Sequence, residues 1–94
     1  MKENFQSIAI ECSVSRNPQL GYDEKGLAHA VFGVTKRGNC ELFNYEVEVW
    51  GKLAEYCTAF LKIGRRLDIT GMRRTGGTTK IIGNDIKFIP QKKR

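Results

Sequence analysis

A chain of 94 residues holds one domain with one core and is too short for a catalytic cleft between two domains. Sixteen Lys and Arg against ten Asp and Glu leave a net charge of +6, which favours a polyanionic partner. Three cysteines (Cys12, Cys40 and Cys57) leave an odd thiol under any pairing and lack zinc-knuckle spacing. No apolar run approaches the ~20 residues needed to cross a bilayer, and Met1 to Gln6 is too polar for a signal peptide. The expectation is a soluble protein of a reducing compartment, with Cys12 and Cys57 as small core residues.

From Phe5 to Arg16, Ile8, Ile10, Cys12 and Val14 occupy every second position, the pattern of a half-buried strand that Asn17-Pro18 is expected to end. Gly21 to Gly26 offers turn residues. A second alternation puts Ala28, Ala30, Phe32 and Val34 on one face and Leu27, His29, Val31 and Gly33 on the other. Lys36-Arg-Gly-Asn39 is a basic hairpin connection, and a third strand runs from about Cys40 to Trp50. Val47 and Val49 face one side of it, Glu46, Glu48 and Trp50 the other, and Tyr45 falls on the valine side. From Gly51 to Ile63 the period becomes helical, with Leu53, Ala54, Cys57, Phe60 and Leu61 on one face and Gly64 as terminator. Leu67, Ile69 and Gly71 mark a fourth strand, and 73–79 a short basic turn. A fifth strand over about Lys80 to Ile89 sets Ile82, Asn84, Ile86 and Phe88 against Ile81, Gly83, Asp85, Lys87 and Ile89 before Pro90 stops it.

Three strands, a helix and two strands in that order describe an all-β fold with one helix: a five-stranded OB-fold barrel whose helix bridges strands three and four. That fold binds oligonucleotides or oligosaccharides across one face; residues 1–90 are its expected extent, as a candidate single-stranded nucleic-acid-binding domain, and 91–94 a basic end. Within it, Trp50 followed by Lys52 joins a stackable ring to a cation, the pairing that binds a base beside its phosphate. On its own segment Trp50 has two placements, on the open face or packed beneath the helix it precedes. His29, between two alanines and far from any Cys, Asp or Glu at a ligand or triad spacing, reads as a surface or interface histidine. Gly76-Gly77 lacks the Lys-Ser/Thr context of a phosphate-binding loop and reads as a hairpin turn. No enzymatic activity, metal or organic cofactor is expected.

Over about Ile8 to Ile89 the chain resembles the bacterial single-stranded DNA-binding protein family. Val49-Trp-Gly-Lys-Leu-Ala-Glu55 is similar to that family's segment of a hydrophobic residue, an aromatic and Gly-Lys-Leu-Ala-Glu. Phe60-Leu-Lys-Ile-Gly64 resembles its helix end, and Asn17-Pro18 with Tyr22 and Gly26 its spacing after strand one. Gly71 with Arg73-Arg-Thr75 resembles its fourth strand, and Asp85-Ile86 falls where its fifth strand closes the barrel.

The resemblance implies that Trp50 stacks on a base, that Lys52 lies near the backbone and that Arg74 sits on the hairpin between strands four and five. Lys36, Arg37, Lys62, Arg65 and Arg73 are further candidate phosphate contacts. It implies a homo-oligomer, dimer or tetramer, that binds single-stranded DNA, or RNA, as neither stacking nor charge senses the sugar. A role in DNA replication, recombination or repair in the cytoplasm and nucleoid goes with it, an organelle stroma or matrix being the alternative location.

The departures are informative. Where the family commonly carries further tryptophans, this chain has Lys36-Arg-Gly-Asn39, Asn44 and Gly76-Gly77, and Phe43 or Tyr45 is left to replace one of them. Glu46 and Glu48 share the face of Trp50 and are expected to repel a phosphate. With a short hairpin between strands four and five, and Lys92-Lys-Arg94 in place of an acidic tip, the expectation is a tail-less paralogue that does not recruit partners through a tail. A protein-interaction subunit that has kept the barrel, with weak DNA or RNA binding, is the second reading.

Overall fold

The computed structural model describes residues 5–74 and 79–90, with the backbone alone for Arg74. The predicted turn residues 75–78 and the basic end 91–94 lie outside them. Five strands and one helix follow the predicted order: β1 (Phe5–Tyr22), β2 (Ala28–Arg37), β3 (Leu42–Trp50), α1 (Gly51–Phe60), β4 (Arg66–Arg74) and β5 (Lys80–Phe88). The strands close into a barrel in the order β1, β2, β3, β5, β4, antiparallel except for the parallel β3–β5 pair. This is the five-stranded OB-fold barrel with α1 between β3 and β4.

The alternations become the core. Ile10, Cys12 and Val14 of β1, Ala28, Ala30, Phe32 and Val34 of β2, and Val47 and Val49 of β3 are buried together with Leu67, Ile69, Ile81 and Ile86, while Tyr45 is half-buried against them. Burial pushes the thiols of Cys12 and Cys57 up to about 12, with Asp68 and Glu11 adding to the effect at Cys12. Both are therefore inert packing residues, whereas Cys40 is exposed.

β1 does not end at Asn17-Pro18. It runs on to Tyr22, pairing first with β4 (Phe5↔Arg74 to Ser13↔Arg66) and then with β2 (Ser13↔Thr35 to Tyr22↔Ala28). Register shifts between Val14 and Arg16 and between Arg16 and Gln19 bend it from one partner to the other. Pro18, which has no N–H to give a ladder, lies in the second shift, where none is needed. The Oδ1 of Asn17 accepts the Ile63 N–H (3.0 Å), and Val14 exchanges backbone bonds with Gly64 and Arg65, so this bend carries the segment between α1 and β4.

The reversal from β1 to β2 is set by Asp23, whose Oδ1 accepts the N–H groups of Lys25 (2.9 Å) and Leu27 (2.8 Å). At the other junction of interest β3 passes into α1 with no loop, because Gly51 takes φ +66 immediately after the extended Trp50. α1 stops at Phe60, short of the predicted Ile63, and Leu61 is already extended while its N–H still reaches Cys57 O (2.8 Å). Gly64, expected as the helix terminator, instead makes the turn before β4, and Phe60, expected on the core face, is exposed.

The two predicted faces of β5 are also corrected. Thr70 pairs with Asp85 but Gly71 pairs with Gly83, so Asn84 is an extra residue that flips the alternation. Ile81 and Gly83 point inward before the bulge and Ile86 after it. The glycines make this crossing possible: a Cβ on Gly71 would run into the Ile82 carbonyl oxygen, and one on Gly83 would stand 3.0 Å from Val49 Cγ1.

Candidate nucleic-acid interface

The register of β2 with β3 lays out one outward face. His29 lies opposite Trp50, Val31 opposite Glu48, Gly33 opposite Glu46 and Thr35 opposite Asn44. At its α1 end Trp50 is 45% exposed and its ring rests on the His29 imidazole, centroids 4.0 Å apart and planes tilted by 31°. Trp50 is thus on the open face of the sheet and not beneath the helix. One side of its ring is backed by His29, and Lys52 is exposed at the start of α1.

The expectation for the two glutamates of this face is repulsion of a passing phosphate. In the structure each stands beside a basic group. Glu46 accepts a hydrogen bond from Arg16 Nη2 (3.2 Å) and stands 3.8 Å from Lys80 Nζ, while Glu48 Oε2 is 3.4 Å from His29 Nε2, an ion-pair distance when the imidazole is protonated. Arg16 reaches over Gly33, whose lack of a side chain matters because a Cβ there would stand 3.1 Å from Arg16 Cβ and Ser15 Oγ. Thr35 Oγ1 and Asn44 Oδ1 are hydrogen-bonded further along (2.9 Å).

The predicted cations do not form one cluster. Lys36 and Arg37 are at the far end of β2, opposite Phe43 and Leu42, and seven strand residues at about 3.3 Å each put Lys36 roughly 23 Å from His29. They border a groove shared with Ala9, Glu11, Leu42 and Arg66, in which Arg66 pairs with Glu11. Arg73 is half-buried and its Nη2 donates to Gln6 Oε1 (3.4 Å). Arg74 ends β4 opposite Phe5, its side chain lying outside the described residues. Lys62 is exposed beyond the far end of α1.

A second group of rings had no place in the sequence reading. Tyr56 and Phe60 of α1 have ring centroids 4.9 Å apart, Phe88 lies 5.6 Å from Tyr56, and the Arg65 guanidinium covers Phe88 at 4.6 Å. The i, i+4 spacing of Tyr56 and Phe60 was the signal available for it. Among the described residues, no group of His, Cys, Asp and Glu could hold a metal ion and no helix is long and apolar enough to cross a membrane.

Solved structures share this fold. A deletion variant of the single-stranded DNA binding protein from Thermus aquaticus matches with a TM-score of 0.80 at 20% identity, over 94% of this chain and 42% of that one. The wild-type protein from the same organism gives 0.78 at 22% identity, again over 94% and 42%. The SSB domain of a protein from Synechococcus sp. gives 0.76 at 18% identity, over 92% of this chain and 98% of that chain. This chain has the fold of the single-stranded DNA-binding proteins. It spans about two fifths of the length of the Thermus aquaticus chains and nearly all of the Synechococcus domain. No protein-family model matches it, and no curated protein matches it by sequence.

Proposed function

We propose that this chain is a non-enzymatic, sequence-independent binder of single-stranded DNA, acting where replication, recombination or repair exposes a single strand. The observation that carries the reading is Trp50: a half-exposed indole on the open barrel face, backed by His29 and followed by Lys52. Every base has a stackable face and every nucleotide a phosphate, so a ring beside a cation binds without reading sequence. The shared fold of proteins described as single-stranded DNA-binding supports the same reading. Arg74, Arg73, Lys36, Arg37 and Lys62 remain candidate backbone contacts, and their spread over the barrel suits a strand that runs across it.

Titration with oligo-dT, followed by Trp50 fluorescence over a range of salt concentrations, tests the proposal. Quenching with a log–log salt slope of about −0.7 per neutralised phosphate is expected. Absence of quenching at low salt refutes it, and matched RNA oligomers as competitors decide the preference between the two sugars.

The second reading, a protein-interaction subunit, is favoured by Glu46 and Glu48 on the face of Trp50. A tight protein partner together with DNA affinity no better than that of any basic protein would select it. Self-association is part of the proposal as well. Among the described residues the edge of β1 from Phe5 to Cys12 that faces away from β4 pairs with no strand, and a second copy can add to it. Light scattering at micromolar concentration should return a dimer or tetramer, and a monomer mass would contradict it.

A further inference from the structure

α1 turns Ala54 and Cys57 into the core, with Leu53 half-buried beside them. Residues four apart fall along one flank of a helix, so Lys52, Tyr56 and Phe60 form a continuous stripe. Tyr56 is 46% and Phe60 58% exposed, and at the end of the stripe Phe88 lies beneath Arg65 while Lys62 and Ile63 stand open to solvent. Glu55, the carboxylate of α1, follows Lys52 by three residues and so neighbours it at the start of the stripe, where Tyr22 Oη donates to it (3.3 Å). Beyond Lys52 the stripe is aromatic and cationic, with no further acidic residue from its own helix.

Rings alternating with cations are the chemistry of single-strand binding, and an acidic peptide would need the charges without needing the rings. The stripe is also continuous with Trp50: Lys52 belongs to both, and the ten-residue helix covers about 15 Å, a distance that a few nucleotides span. We propose that the flank Lys52, Tyr56, Phe60, continued by Phe88, Arg65 and Lys62, is a second stacking segment that receives the strand as it leaves Trp50. The inference rests on the reading of Trp50 as the first stacking site.

The experiment compares oligo-dT of about 5 nucleotides with oligo-dT of about 15, lengths within and beyond a minimal OB-fold site. The proteins are the full chain, the double variant Tyr56→Ala with Phe60→Ala, the single variant Phe60→Tyr, and Trp50→Ala. Both truncated residues are about half in solvent, and unchanged far-ultraviolet circular dichroism checks the fold. The long oligomer should lose about tenfold in affinity in the double variant, the worth of one stacked base, with the short one unaffected and Phe60→Tyr close to the parent. If Trp50→Ala weakens both oligomers while the double variant weakens neither, or weakens both equally, the second segment is refuted and the Trp50 site stands. If the parent binds neither oligomer, the Trp50 reading fails and this inference with it. A double variant that binds both oligomers normally but no longer binds a synthetic acidic peptide would assign the flank to protein docking and overturn the proposal.

Discussion

Replacing Trp50 with alanine tests the proposed binding face most directly. His29 covers one side of the indole at 4.0 Å, which leaves the other side for a single base. A base stacked on an aromatic contributes about 1 to 3 kcal/mol, so the variant should lose about 2 kcal/mol, or roughly thirtyfold in affinity. The fold should survive. With 45% of the residue exposed, a little over half of a surface of about 250 Å² is buried, and at about 25 cal/mol per Å² the loss is at most about 3.5 kcal/mol. Domains of this size are commonly stable by about 5 to 15 kcal/mol. Because the substitution removes the chain's single tryptophan, the assay should be fluorescence anisotropy of a labelled oligo-dT, with circular dichroism as the fold control. Trp50→Phe keeps a ring and should stay within about fivefold of the parent. A folded Trp50→Ala that binds within about threefold of the parent would show that the strand does not stack there.

Glu46→Gln releases Arg16 from its ion pair and removes a negative charge from the binding face. Affinity for oligo-dT should rise several-fold at low salt with a steeper salt slope, while thermal stability changes by less than about 1 kcal/mol because the pair is exposed. Gly71→Ala drives a Cβ into the Ile82 carbonyl oxygen at the β5 bulge and should cost more than about 2 kcal/mol in urea denaturation. In the native protein one thiol, Cys40, should react with a disulfide reagent near about pH 8, and all three once it is unfolded. The same burial sets a pH dependence. Cys12 and Cys57 titrate near 9 when unfolded and at about 12 when folded. Only the unfolded state loses these protons between the two values, so stability should fall as pH rises from 9 towards 12. A flat alkaline stability profile would contradict their burial.

The barrel was legible because four of its strands write their inward face as unbroken alternation, and because Gly51 marks the place where period two becomes period 3.6. What escaped the sequence was whatever one extra residue controls. At Pro18 and at Asn84 a bulge lets a strand continue past a residue that looks like its end, or swaps its faces halfway, and neither leaves a compositional trace. The candidate site divides in the same way. Parity put Trp50 on the face of Glu46 and Glu48 but left open whether the helix covered it, and the partners of those glutamates come from β1, β2 and β5 and depend on register across the sheet. Phe60 misled because a ring at core spacing was assigned to the core, although α1 is narrow enough for Ala54, Cys57 and its neighbours to fill the space beneath it.

The exchange of partners along β1 has a kinetic side. Its first half bonds to β4, from Phe5↔Arg74 to Ser13↔Arg66, and these are among the longest sequence separations in the protein. Such closures are entropically slow, so the β2–β3 hairpin and α1 can form early while the barrel stays open along this seam. On a ribosome adding about 5 to 20 residues per second, the leading half of β1 waits several seconds for β4 to be made. During that interval it is an unpaired apolar strand, and the seam is where misassembly between nascent copies would begin.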